Sequence, residues 1–353
     1  MRGTAAALAT VALAGVAPWC ASAQEFSRTA NETVVSIQTQ SGWDHPALML
    51  DALTTVRVGS GLVAIVRPWA WRRPDGTWTA AWYQMQARYA RRVSSANLRI
   101  DGGIITSPIG LGASLMRADA NPLMAPPFYY VVPLPRFDTR FDKLQMMSGG
   151  YPLGVVTTVS GRWWDVRAGA TDSTPARPQL ELRSARSPAY AQVVAGGGIM
   201  PVPGLRVGVG FARGRYRGAQ SFSTGIGFAP AASATIFNVE GEYTVRYTRL
   251  SGEWVRNVFE TTLTPATATA SYVQIAQTLT PRWFAAARWT AAHAPVGLPG
   301  AWQRHVDTAY ETSVGYRLSV GWTLRSGWSA QRGFTASGFD HQIGASLVWA
   351  RRW

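Results

Sequence analysis

The chain has 353 residues, of which 47% are hydrophobic and only 15% charged, and it carries 35 Gly, 16 Trp, 12 Tyr and 12 Phe. Its net charge of +15 is almost wholly arginine, since Lys143 is the only lysine, and its one cysteine, Cys20, excludes a disulfide framework. Past the N-terminal region no apolar stretch approaches the roughly 18–20 residues of a membrane helix.

In chain order, Arg2 precedes the apolar run 5–17 and then Ala21-Ser22-Ala23, a small-x-small cleavage pattern. Residues 1–23 read as a secretory signal, too short to span a bilayer. The mature chain is then expected to begin at Gln24, without Cys20. Trp19 before that cysteine argues against a lipoprotein, which needs a small residue there. An exported protein meets nucleic acid rarely, so the basic balance points to anionic lipid headgroups or anionic solutes.

Residues 24–54 are the least readable. Val34, Ser36, Gln38 and Gln40 alternate with Val35, Ile37 and Thr39, while 47–53 has mixed helical or extended character. Extra strands, a periplasmic segment and a plug all stay open for this part. From residue 55 onward, runs of two-residue alternation recur between breaks. Predicted strands cover 55–66, 78–92, 98–105, 151–159, 163–170, 190–200, 205–213, 235–247, 249–259, 269–279, 282–291, 307–318, 319–331 and 341–353. Over 78–92, Thr79, Ala81, Tyr83, Met85 and Tyr89 share one face, and Gln84, Gln86, Arg88 and Arg92 the other. Over 235–247, Phe237, Val239, Tyr243, Val245 and Tyr247 oppose Asn238, Glu240, Glu242, Thr244 and Arg246.

The last stretch, 341–353, sets Ile343, Ala345, Leu347, Trp349 and Trp353 on one parity and Gln342, Gly344, Ser346 and Arg352 on the other, interrupted by Val348. Closing a barrel pairs both edges of such a strand. The stretch resembles the terminal strand of bacterial outer-membrane β-barrels, whose last residue is aromatic; Trp353 stands where Phe is usual, and Arg351 where an apolar residue is usual. A soluble sandwich also alternates, but needs no Trp or Tyr at so many strand ends. The resemblance implies an all-β, transmembrane, antiparallel up-and-down barrel over 55–353, located in the outer membrane of a Gram-negative-type bacterium. It has about fourteen strands, or sixteen if 24–54 supplies a pair.

The connections sort by length. Counting back from a periplasmic C-terminus, those at 318–319, 280–281, 247–249, 201–204, 160–162 and 93–97 are short and periplasmic. Those at 334–340, 294–304, 217–234, 172–188 and 106–150 are mostly long and external, with 72–77 the short exception.

The connection 106–150 follows the third predicted strand and is long enough to be functional. It resembles the constriction loop that diffusion porins fold into the barrel, although the acidic motif of general porins and the Lys-rich loop of phosphate-selective porins are both missing. An external cap over the mouth is the plainer alternative. As a long third external loop it would bring Arg117, Asp119, Arg136, Asp138, Arg140, Asp142 and Lys143 to a pore constriction. The even spacing from Arg136 to Asp142 puts alternating signs on one face, either a transverse field or a self-neutralising ladder.

Arginine on the lipid side costs about 2–4 kcal/mol near the midplane, so the wet faces belong to the lumen. They make Arg88, Arg99, Asp101, Arg167, Glu240, Glu242, Arg246, Arg288, Glu311, Arg317 and Arg325 the expected pore lining, with Asp165, Arg206, Arg249, Glu253 and Asp307 beside them. The expected function is a porin-like channel for passive diffusion of small hydrophilic, anion-biased solutes. A closed structural or surface-binding barrel is the alternative, and a rim-site hydrolase using His293 or His305 a weaker one. The four histidines lie far apart, without an HExxH or GxSxG motif, and Gly196-Gly197-Gly198 is no phosphate loop because no helix follows it. No enzyme activity, metal or cofactor is expected. Expected partners are outer-membrane lipid and lipopolysaccharide, the barrel-assembly machinery through the last strand, and two further copies in a homotrimer, with no nucleic acid.

Overall fold

The computed structural model describes residues 29–132, 134, 146–147, 152–172, 192–217, 220–221, 228–229, 231–261, 264–296, 303–334 and 336–353. The expected signal, 1–23, lies outside them. The strands are β1 (Thr29–Gln40), β2 (Ala47–Gly59), β3 (Leu62–Arg72), β4 (Trp78–Val93), β5 (Ala96–Ile104), β6 (Leu153–Ser160), β7 (Trp164–Thr171), β8 (Gln192–Val202), β9 (Leu205–Arg217), β10 (Gln220–Ser221), β11 (Phe228–Ala229), β12 (Ala232–Val245), β13 (Thr248–Phe259), β14 (Ala266–Thr278), β15 (Trp283–Val296), β16 (Gln303–Ser319), β17 (Trp322–Arg332) and β18 (Asp340–Arg352). The two-residue β10 and β11 pair only with each other; the remaining strands form one closed antiparallel barrel in chain order. Those sixteen strands lie at the upper of the two expected counts.

The seam joins β1 to β18, with Glu32 opposite Arg352 and Gln40 opposite Gly344. It runs to the last residue: Asn31 N donates to Trp353 O at 2.9 Å, and Trp353 N to Asn31 O at 3.1 Å. Residues 29–54 form β1 and the first part of β2.

Two sequence expectations are corrected. The predicted strand 55–66 spans a turn, because Gly61 adopts φ +75°, where a Cβ would meet Ala90 O at 2.5 Å. Its two halves belong to β2 and β3, so the long connection follows the fifth strand and is the third at its end of the barrel. Across β3 and β4 the register shifts between Arg67 and Pro68, leaving Tyr83 as the extra residue. A bulge reverses the faces of the strand beyond it. Trp78 and Trp82 are therefore exposed, while Tyr83 stacks on the buried Trp69 at 4.6 Å.

Alternation sorts the two barrel faces. Outward stand Val193, Val209, Val273, Ile275, Val314, Leu324 and Ile343, all exposed. Exposed Trp163, Trp164, Tyr247, Trp283, Trp322 and Trp353 lie at the end with turns of two to four residues; Trp78, Trp82 and Phe339 lie toward the other. Aromatic belts bracketing an apolar band mark a lipid-facing surface. The carboxylates of the strands, Glu32, Asp51, Asp101, Asp165, Glu240, Glu242, Glu253, Asp307, Glu311 and Asp340, all take the inward register.

Candidate functional site

The connection from β5 to β6 carries much apolar surface, and water is a poor place for it. Its described part lies inside the barrel. Ile105, Ile109, Leu115, Phe128, Tyr129, Tyr130, Met146 and Met147 are buried in one cluster with Ile236, Val255, Phe259, Ala268 and Tyr272 of the inward-facing wall. One helical turn, Gly112–Leu115, and a 3-10 turn, Phe128–Tyr130, compact the segment. Gly112 is needed where they touch, since a Cβ there would collide with the Tyr130 ring, and its N–H donates to Tyr130 Oη at 3.1 Å.

Polar groups from five strands hold this loop. Arg325 of β17 donates to the carbonyls of Ala118 (3.0 Å), Asn121 (2.5 Å) and Leu123 (3.0 Å), and also to Ser346 Oγ at 2.9 Å. Arg288 of β15 donates to Ala125 O at 2.6 Å, and Ser313 of β16 to Pro122 O at 2.7 Å. Arg117 of the loop pairs with Glu32 of β1 at 2.8 Å and with Asp119 at 3.0 Å. Tyr129 and Tyr130 both donate to Glu253 Oε2 of β13, at 3.0 and 2.5 Å. Burial first, and then the Glu253 carboxylate, push both phenols well above their ordinary range, so they stay donors.

The opposite wall stays wetter and is mostly charged. Arg88 and Arg99 share Asp101 at 2.6 and 2.9 Å. Arg167 and Arg206 share Glu240 at 3.1 and 2.6 Å, and Arg206 also meets Asp165 at 2.9 Å. Two guanidinium groups on one carboxylate leave the Asp101 sector cationic, and Arg88 and Arg99 keep 33% and 47% of their side-chain surface exposed.

Of the expected constriction residues, Arg117 pairs with both Asp119 and Glu32, while Arg136, Asp138, Arg140, Asp142 and Lys143 lie outside the described residues. Of the expected lining, Arg88, Arg99, Asp101, Arg167 and Glu240 stand on the charged wall. Arg288 and Arg325 sit beneath the loop and hold its carbonyls, and Glu311 pairs with Arg288 there. Glu242 pairs with Arg249 at 2.7 Å. Arg317 donates to Pro281 O at 3.0 Å and lies over Phe284. Arg246 was expected on a strand face; it is a turn residue with φ +51°, because β12 ends at Val245. Glu32, Tyr129, Tyr130 and the buried Arg67–Asp51 ion pair are inward-facing polar positions that sequence reasoning did not single out. The run Phe128-Tyr129-Tyr130 was the available signal, since three aromatics in a connection seek burial.

The loop divides the space inside. Toward the short-turn end lies a cavity of about 1250 Å³, bounded by Ala118–Pro122 of the loop and by Arg249, Arg317 and Arg325. On the loop's far side a smaller cavity of about 140 Å³ lies between Met124–Phe128 and Gln40, Gln331 and Gln342. His305, paired with Ala294, shares the inward register of Asp307; His293, paired with Val306, faces outward. His305 Nδ1 lies 2.8 Å from Phe334 O. Among the described residues no three His, Cys, Asp or Glu side chains gather as metal ligands would.

No family profile matches the sequence, and no curated protein does either. Solved structures do. A loop L8 deletion mutant of OmpT, an outer membrane protein of Vibrio cholerae, is 12% identical, with 92% of this chain and 98% of that one covered at a TM-score of 0.56. An in-vitro folded trimer form of OmpT is 10% identical, with coverage of 92% and 98% and a TM-score of 0.55. Salmonella typhi OmpF in complex with daunomycin is 10% identical, with coverage of 92% and 97% and a TM-score of 0.58. At such identities the likeness is one of fold, and that fold is the sixteen-stranded outer-membrane porin-type barrel.

Proposed function

We propose that this porin-type barrel is an outer-membrane channel for passive diffusion of small hydrophilic solutes, with the inward loop setting its bore and the arginine wall favouring anions. What supports this most is the loop itself. It lies within the barrel, fixed by Arg325, Arg288, Ser313, Glu32 and Glu253, and the Arg88–Arg99–Arg167–Arg206 wall keeps exposed cationic surface. A fixed obstruction beside a charged wall selects by size and sign without turnover, because the local potential concentrates ions of opposite charge. The short-turn end is then periplasmic, and the long connections face outside. The assembly we propose is a homotrimer, the form that one OmpT structure has.

The test is conductance of the purified, folded protein in a phosphatidylcholine planar bilayer. Ohmic steps with a reversal potential displaced toward the anion are expected. Correctly folded protein that gives no steps would favour a closed structural barrel, the reading that the buried loop core around Tyr130 and Met147 supports.

A further inference from the structure

Resting on the outer-membrane reading above, we infer that the lipid-facing surface carries a docking site for a phosphorylated glycolipid of the outer leaflet, built by Arg256, Thr269, His293 and Arg304. The four residues come from four consecutive strands, β13 to β16. Thr269 is the cross-strand partner of Arg256 on one side and of His293 on the other. Arg304 reaches across from β16, its Nη2 3.4 Å from Thr269 Oγ1, and Arg256 stands beside the same threonine as its cross-strand partner. Burial fixes the side on which they stand. Val255, Asn257, Ala268, Ala270 and Ala292 are buried inward, and the residues between them, with exposed Trp254 and Trp289, face out.

What marks the cluster is missing compensation. Every strand carboxylate faces inward, so the outward surface of the strands offers no acid to these arginines. Two outward arginines of the same end do have partners within the protein: Arg213 meets Glu260 at 2.8 Å, and Arg332 lies over Phe339. Glu260, four residues beyond Arg256, is further occupied by Ser233 N, and the nearer Glu253 faces inward. The connection 297–302, which precedes Arg304, contains no acidic residue at all. Among the described residues Arg256 and Arg304 therefore form no ion pair.

Two cations gathered at the edge of an apolar band call for an anion that resides there. Phosphate fits a pair of guanidinium groups, each offering parallel N–H donors, with the Thr269 hydroxyl as a further partner. Phe237, the cross-strand partner of Arg256, is exposed, its ring 6.1 Å from that of exposed Trp254, which with exposed Trp289 of β15 lies nearer the barrel's middle. Those rings suit sugar and acyl chain, whereas a free phosphate ion would use none of them.

The test uses the purified folded protein in detergent micelles, with bis-phosphorylated lipid A as the probe and native mass spectrometry as the readout. A saturable one-to-one adduct is expected, weakened at raised salt. The Arg256→Gln/Arg304→Gln protein should lose affinity by about tenfold or more, while Arg91→Gln/Arg351→Gln, outward arginines of the opposite end, should bind as the wild type does. Equal binding of dephosphorylated lipid A would overturn the proposal, as would an unchanged double variant. Displacement of the glycolipid by millimolar inorganic phosphate would reduce the site to an ion site. Heat-modifiable gel migration checks folding; should the double variant not fold, salt-insensitive binding by the wild type still refutes the inference. The channel reading fails separately, since its conductance test uses a bilayer without glycolipid.

Discussion

Replacing Arg325 with Leu removes the side chain that holds the loop at three carbonyls, those of Ala118, Asn121 and Leu123. A hydrogen bond from a charged donor contributes about 1.5–3 kcal/mol net. Water from the adjoining cavity can rehydrate the freed carbonyls, so the loss is nearer to two such bonds at the low end than to three at the high end. That is about 3 kcal/mol, or roughly a hundredfold shift toward the undocked loop. Arg288, Ser313, Glu32 and Glu253 still hold other points, so the loop should leave its place briefly and return. In single-channel recordings Arg325→Leu should add short openings of larger conductance, and limited proteolysis should cut near Ala118–Leu123 faster than in the wild type. The barrel ladder does not depend on this side chain, so heat-modifiable migration should be nearly unchanged. Arg325→Lys keeps the charge but not the fork of donors, and its traces should fall between the two. Recordings and cleavage rates identical to wild type would refute the idea that this clamp fixes the bore.

Neutralising Arg88 and Arg99 together leaves the Asp101 carboxylate unopposed, and the reversal potential should move toward cations; Arg351→Gln, on the outer face, should leave it in place because salt screens such a charge within about 8–10 Å. A tag inserted at Leu298 should be labelled on intact cells and one at Pro203 should not, and the reverse pattern would invert the proposed orientation. Deleting Trp353 removes its backbone pair with Asn31 and its ring from beside Trp349, so the yield of heat-modifiable protein should fall far more than for Trp302→Ala. Gly61→Val places a β-branched residue at φ +75° against Ala90 O, a strain of about 1–3 kcal/mol that should lower refolding yield in detergent.

The barrel was legible because alternation repeats, and each repeat reports a face independently of the others. The end of β12, where Asn238, Glu240 and Glu242 oppose Phe237, Val239 and Tyr243, needs no tertiary knowledge to read. The pair β2 and β3 was hidden for a physical reason. The two-residue turn Ser60-Gly61 relies on the left-handed Gly61, and Val58 and Leu62 on either side of it make the stretch read as one continuous run. Tyr83 misled in a different way, since a bulge inverts faces while leaving composition untouched. The loop clamps were beyond reach because they pair residues far apart in sequence. Arg325 and Arg88 look alike as wet-face arginines, yet one is buried against loop carbonyls and the other shares Asp101 beside open space.

The glycines of β8 shape the charged wall on which Arg167 and Arg206 lie. Gly196 and Gly198 face inward opposite Arg167 and Asp165. A Cβ on Gly198 would stand 2.8 Å from Arg206 Nη2, and one on Gly196 would stand 3.0 Å from Arg167 Nε. Side chains there would push both guanidinium groups off the wall and away from Glu240. Without them the arginines can lie along the barrel surface, paired and partly wet, and the space toward the loop stays clear. The glycine run thus acts by what it lacks: it is the sector where charge is held flat against the wall, which on the proposed channel reading leaves the bore to the anchored loop rather than to crowded side chains.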